Sequence, residues 1–494
     1  MLILLSVSTI ILCIWRISVK GRGLSSEDLF IHAEKAIIAV CTLQAALMLS
    51  QHYGLVPKYG IHTSGSFDNA AGLASCMALG IPVALRRIRN AKVKERSILA
   101  AYILLCTAAI IHSGSRTGML CIAVLGCAIL CRMMHIGHAA IIPVAIITTA
   151  VSALCMKTDS SCGRWFILQR TAELIWKNPV MGSGTGAFDR EYMNIQAEYF
   201  KNNPDSRYSM LADNIHHPLN EFMLAAADFG LVGVAVLAAM IVFTVYYAKN
   251  NRTGLTSTGM QILTVIILFS MFSYPFLYPF TWLMLATALY CIFGKNIRFG
   301  KTAGLICLTA ATIGGTYIIC KAKTDFELQN IIEMAQYKPA GKCVPLYKAY
   351  YKKQKDDNSY LYSLAVMQFD AGLYNDALKT AEKCSKLFAD YDLSLLFGDI
   401  NRELGNQSAA ISGYRQAHLM CPSRIMPLYE TYLIYRHAKD SVQRKRMAKI
   451  ILNKPIKIRS GRVNMMIDDI RAYEKLESNR FFRRERSSLN PASP

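Results

Sequence analysis

The sequence predicts an all-α protein, a polytopic membrane helical bundle of about ten spans followed by an outward-facing α-solenoid. Three observations predict it. The 494 residues are 53% hydrophobic and only 18% charged, more apolar than a soluble enzyme. Apolar runs long enough to cross a hydrocarbon layer roughly 30 Å thick recur along residues 1–320. From residue 359 a helical pattern repeats with a period of about 33 residues.

The first run, 1–15, ends in Trp15 and Arg16 without a small-residue cleavage site and is read as a retained helix. Spans then follow at 36–54, 70–85, 97–112, 118–134 and 139–156. After a loop over 157–228, spans at 229–247, 258–274, 277–293 and 302–320 complete a membrane domain over 1–320. Lysine and arginine crowd the stretches 16–35, 86–96, 131–138, 249–252 and 294–301, which all fall on one side if these spans are right, and that side is the cytoplasm. The loop 157–228 and everything beyond Lys321 then face outward.

A linker with helical character covers 321–358. In the repeat domain, 359–455, Gly372 aligns with Gly405, Ala377 with Ala410 and Tyr360 with Leu393, a pattern that looks like tetratricopeptide repeats. Such a domain serves contact rather than chemistry, as a docking surface or as a plain cover for the outer face. A basic tail over 456–494 contains NRFFRRERSS and reads as a solvated terminus, with an anionic membrane surface as the alternative.

The net charge of +22 is spread over loops and tail, so nucleic-acid binding is not expected. Fifteen cysteines lie singly, without metal-ligand spacing, and support neither a zinc site nor a disulfide framework; a Cys155–Cys162 pair is left open. Neither a metal nor a cofactor is expected.

The chemistry is sought in the outward loop, unusually long for a connection between spans. Trp165, Leu168, Ala172 and Ile175 recur at helical spacing, predicting an amphipathic helix on the membrane surface that stops at Asn178 and Pro179. Gly182, Gly184 and Gly186 of GSGTG have no preceding strand, so the dinucleotide reading fails and a flexible turn is expected, with close approach to a ligand phosphate as the alternative.

Four stretches together resemble the O-antigen ligase and polymerase family of bacterial envelope proteins, over roughly 60–295. They are GSFDNAAGLAS (65–75), SGSRTG (113–118), GRWFILQRTAELIWKNPVMGSGTGAF (163–188) and HHPLNEFMLAAADFGLVG (216–233). Each is weak alone; their order and distances make the resemblance specific. Departures exist: Ala70 and Ala71 follow Asn69 where the family often has Pro and Asn, Asp228 replaces a glutamate, and Leu219 stands where histidine is common.

The resemblance implies transfer of a glycan from an undecaprenyl-diphosphate carrier to an acceptor hydroxyl at the periplasmic face of a bacterial inner membrane, without a nucleotide sugar or metal. The acceptor is lipid A core, a protein hydroxyl (as in a protein O-oligosaccharyltransferase), or another lipid-linked unit, which makes the enzyme a polymerase. The repeat domain then offers a site for a large acceptor or a protein partner. A non-catalytic envelope scaffold and a flippase are the readings from other classes.

Guanidinium groups suit a diphosphate leaving group, so Arg164 and Arg116 are the expected donor ligands, with Arg170 and Arg190 as weaker candidates. The alternative for Arg116 is snorkelling to the headgroups, and for Arg164 contact with lipid phosphates. A neutral histidine suits removal of the acceptor proton, and His217 is preferred over His216. With Pro218 in the first helical turn, His217 is expected to cap a helix and to share its face with Asn220 and Glu221. The plain alternative is that the histidines and Asn220 only anchor that helix.

Overall fold

The structure is a computed structural model that describes residues 26–57, 63–133, 158–294, 320–321 and 323–489. Within these the protein is helical and without strands, and it divides into two compact units. One comprises Met1–Lys157, Leu219–Ala226 and Leu231–Glu327; the other comprises Thr158–Pro218, Ala227–Gly230 and Leu328–Pro494.

In the first unit, helices α1 (Ser26–His52), α2 (Ala70–Asn90), α3 (Val93–Ser113) and α4 (Arg116–Met133) precede the loop. Five helices among the described residues are long and apolar enough to cross a membrane, and two shorter ones, Arg116–Leu130 and Pro279–Phe293, are apolar as well. The protein is therefore a multi-pass membrane protein. Seven of the expected runs coincide with these helices. Those at 1–15, 139–156 and 302–320 lie outside the described residues, apart from Cys320.

Helix α2 is the centre of this unit, 72% buried within the protein. Its packing face is made of small residues and residues without β-branching, Leu73, Ala74, Cys76, Met77 and Ala78. Small residues let helix backbones approach closely where lipid supplies no hydrophobic drive between helices. A Cβ added at Gly80 would lie 2.3 Å from the Tyr102 hydroxyl, and one at Gly118 only 2.8 Å from the Ala74 Cβ. At one end of the bundle the buried Glu34 carboxylate is neutralised by Arg86.

The second unit joins the loop, helices α5 (Thr158–Lys177) and α6 (Ala187–Asn202), to the C-terminal region. Between them in the chain the first unit continues with α7 (Glu221–Asn250), α8 (Gly254–Phe272) and α9 (Pro279–Phe293). After α10 (Ala340–Lys348) come three successive helix hairpins: α11 (Asn358–Asp370) with α12 (Tyr374–Ser385), α13 (Tyr391–Glu403) with α14 (Gln407–Met420), and α15 (Met426–His437) with α16 (Ser441–Leu452). The tight turns within the first two hairpins place Gly372 and Gly405 at φ +74° and +78°, where a side chain is strained. In the third, Lys439 takes that conformation at φ +57°.

Residues 461–489 form a further helix, α17 (Gly461–Leu489), where a solvated tail is expected. Met466, Ile467 and Ile470 bury against the third hairpin, and Glu474 pairs with the buried Arg444. The charge-rich composition of the segment hides this apolar stripe.

Candidate active site

Helix α5 stops where Asn178 and Pro179 interrupt it, and its buried side differs from the one its periodicity suggests. Phe166, Ile167, Thr171 and Leu174 are buried, while Trp165 is 57% and Trp176 75% exposed. The helix carries two apolar faces, and only one packs inside the unit. Phe166 stacks on Tyr208 with ring centres 4.8 Å apart, and Phe200 closes the same cluster. Arg170 lies 4.2 Å over the Tyr199 ring with its Nη1 2.8 Å from Glu173, while its Nε is buried without a hydrogen-bond partner. Arg164, near the start of the same helix, is half-buried.

The GSGTG stretch turns with Gly182, Gly184 and Gly186 at φ +73°, +83° and +74°. Its amides are used by the chain itself. Ser183 N–H donates to the Ala227 carbonyl and Gly184 N–H to that of Asp228, each at 2.9 Å, and Ala187 N–H donates to the Asp228 carboxylate. The Arg190 guanidinium donates to the Ser183 and Thr185 carbonyls. Opposite the turn, Gly230 breaks helix α7 with φ +63° and ψ −162°. A Cβ at Gly182 would stand 2.4 Å from the Asp228 carbonyl oxygen, and one at Gly230 2.3 Å from that of Val180. The two backbones touch because neither glycine has a side chain.

The segment after α6 is tied to the C-terminal helix hairpins of its own unit. Asp213 pairs with Arg424 at 2.8 Å, and the Asn214 amide donates to Asp390 at 2.6 Å. His216 follows these anchors: Nε2 is 3.6 Å from Asp390, Nδ1 is 3.8 Å from Asp189, and the ring stacks on Phe388. Burial pushes the Asp189 carboxyl above the usual range, while the charges of His216 and His217 oppose the shift. His217 thus shares the electrostatic surroundings of Asp189 with its neighbour.

The expected helix start is corrected. His217 and Pro218 precede the helix; Leu219 takes a left-handed conformation at φ +57°, and Asn220 is the cap. The Asn220 side-chain oxygen accepts from the amides of Phe222 and Met223 at 2.9 and 3.0 Å, a role that asparagine fills better than histidine. His217 therefore shares no helical face with Asn220 and Glu221. In the first unit, the Asn220 amide donates to the Met271 carbonyl, and Glu221 accepts from the Phe276 N–H.

A further cluster of the first unit escapes sequence reading. The Tyr278 hydroxyl donates to Asp68 at 2.5 Å, Tyr274 donates to the same carboxylate, and the Asn69 amide reaches Tyr274. The two pairs are more than two hundred positions apart: Asp68 and Asn69 lie in the GSFDNAAGLAS stretch, and nothing in the apolar stretch around Tyr274 and Tyr278 marks those tyrosines as their partners. At the first residue of α4, Arg116 has its Nη1 buried without a hydrogen-bond partner. Among the described residues no group of three histidine, cysteine or acidic side chains is placed to hold a metal, and Cys162 is a free thiol; Cys155 lies outside them.

Residues 100–238 match a family model described as O-antigen ligase. That segment contains Arg116, Arg164, the glycine turn, both histidines, Asn220 and Glu221, and excludes Asp68. No curated protein and no solved structure matches the chain.

Proposed function

We propose the reaction from the match of residues 100–238 to the O-antigen ligase family model, which supports a membrane glycan-transfer role in surface glycan biosynthesis. A glycan passes from an undecaprenyl-diphosphate carrier to an acceptor hydroxyl on the periplasmic side of a bacterial inner membrane. The acceptor oxygen attacks the anomeric carbon as its proton moves to a neutral histidine. The bond from that carbon to the diphosphate oxygen breaks, and undecaprenyl diphosphate leaves with the electron pair.

Within this reading His217 is the base. His216 is held by Asp390, Asp189 and Phe388, which suits a positioning role. The observation that carries the donor assignment is the buried, unpartnered Nη1 of Arg116. A desolvated guanidinium donor is costly unless an anion completes it, and the leaving diphosphate is such an anion. Arg164 is the second clamp, and Arg170, engaged with Glu173 and Tyr199, supports the loop instead. Asn220 and Glu221 fix the start of α7 rather than exchange protons.

Purified protein in lipid nanodiscs, given a lipid-linked glycan and candidate acceptors, tests this. His217→Ala is expected to lower transfer by about 100-fold or more, and His216→Ala by less, with a lower unfolding temperature. Full transfer by His217→Ala refutes the base. In a deletion strain, loss of long-chain lipopolysaccharide with accumulated lipid-linked glycan identifies a ligase, and accumulated single repeat units identify a polymerase.

A further inference from the structure

The repeat unit contains a cavity of about 460 Å³. One face of the first helix of each hairpin lines it: Tyr362, Val366 and Phe369 on α11, Tyr391, Leu395 and Asp399 on α13, and Glu430 on α15. Positions four apart on a helix share a face, so the hairpin succession itself builds this wall. Asp370, Asp392, Arg424 and Arg462 add charged groups to the lining.

The charged groups fall into two sets. Asp399 accepts from the Tyr414 hydroxyl at 2.7 Å, Glu430 is paired with Arg402, and Arg424 is paired with Asp213 while covering Tyr391. Asp370, Asp392 and Arg462 make no hydrogen bond or ion pair among the described residues. The cavity thus offers the exposed carboxylates of Asp370 and Asp392 and the exposed Arg462 guanidinium, whose charge also acts on Asp399 and Glu430, beside the half-buried rings of Tyr362 and Phe369.

We propose that this cavity binds a carbohydrate, one or two neutral sugar rings, by aromatic contact with Tyr362 and Phe369 and by hydroxyl hydrogen bonds to Asp370, Asp392 and Arg462. Sugar hydroxyls both donate and accept, so they use carboxylate and guanidinium together. Their C–H faces pack on the electron-rich faces of aromatic rings. A polycation meets Arg462 and Arg424 in the same space, and a polyanion meets the two aspartates; a neutral polyol meets neither conflict. The volume falls in the range of small-molecule sites, about 300–1,000 Å³. Binding here goes beyond the proposed transfer reaction, since it requires no turnover.

The test is saturation-transfer NMR on the full chain in nanodiscs. The probes are glucose, galactose, rhamnose and N-acetylglucosamine with their disaccharides, and pentalysine as the cationic comparison. Signal is expected for at least one sugar, weakened about tenfold in Asp370→Ala/Asp392→Ala and retained in His217→Ala. Asp370→Asn/Asp392→Asn, which keeps side-chain size, covers the case in which the alanine variant fails to fold, and it too is expected to weaken binding. Absence of sugar signal in the native protein overturns the proposal, as does binding unchanged in the folded double variant or aspartate-dependent binding of pentalysine alone. Because His217→Ala leaves the cavity untouched, failure of this inference and failure of the transferase reading are separate results.

Discussion

The fully buried tyrosines, Tyr192, Tyr347, Tyr414 and Tyr432, all lie in the second unit, whereas the largest fully buried side chains of the membrane unit are Phe269, Met48 and Met77, set among small residues such as Ala74, Cys76 and Ala78. Lipid outside a helix is as apolar as its core, so burial there gains little from size, and close approach of backbones gives the contact. In water the gain scales with the area buried, and tyrosine supplies that area with a hydroxyl that finds a partner: Tyr360 to the Tyr347 carbonyl, Tyr414 to Asp399, Tyr432 to Glu474. The turn between α5 and α6 belongs to neither pattern, since it is built by backbone meeting backbone.

This three-way contrast ranks three expected effects, the first two from adding one methyl group. Gly230→Ala is expected to be the most damaging, because the new Cβ meets a carbonyl 2.3 Å away and the φ, ψ pair is nearly exclusive to glycine. A loss of about 3 kcal/mol or more in thermal unfolding, with glycan transfer abolished, is expected. A fully active Gly230→Ala protein breaks the view that the turn is a backbone contact.

Gly398→Ala comes next. Its Cβ falls 2.3 Å from a ring carbon of the buried Tyr414, and a ring displaced from a packed core costs about 1–3 kcal/mol. Tyr414→Leu in the same chain frees the space, so the double variant is expected to lose less than the two single losses summed. Additive losses by denaturant titration refute the contact.

The smallest effect is a pH dependence. His418, with its Nδ1 buried and unpartnered, has a pKa lowered to about 4 by burial and by Lys454. The unfolded chain takes a proton there near pH 6.5 and the folded chain does not, so stability is lost as the pH falls from about 6.5 toward 4. Between pH 6.5 and 5 the loss is about 1–2 kcal/mol. His418→Phe is expected to flatten this part of the stability profile relative to the native chain; identical slopes exclude the histidine as its source.

The same contrast explains what was legible in the sequence. Among the described residues, seven apolar helices stand where hydropathy puts them, because apolar length is a property of composition. The side of α5 that packs was not legible: Trp165 and Phe166 are equally apolar neighbours, and only tertiary contact decides which is buried. Position 217 looks like a helix start because Pro218 follows, but the left-handed turn at Leu219 delays the helix by several residues. The site was legible as residue types and not as partners. Asp390, which holds His216, lies in the repeat region, and the Asp68–Tyr278 bond joins two loops with no shared motif.

Gly182 and Gly230 each occupy the room that the other's Cβ would need. A substitution at one cannot be rescued by a smaller residue at the other, since none exists. The pair is therefore an evolutionary dead end for compensation: a lineage that varies either position must rebuild the whole turn at once or keep both.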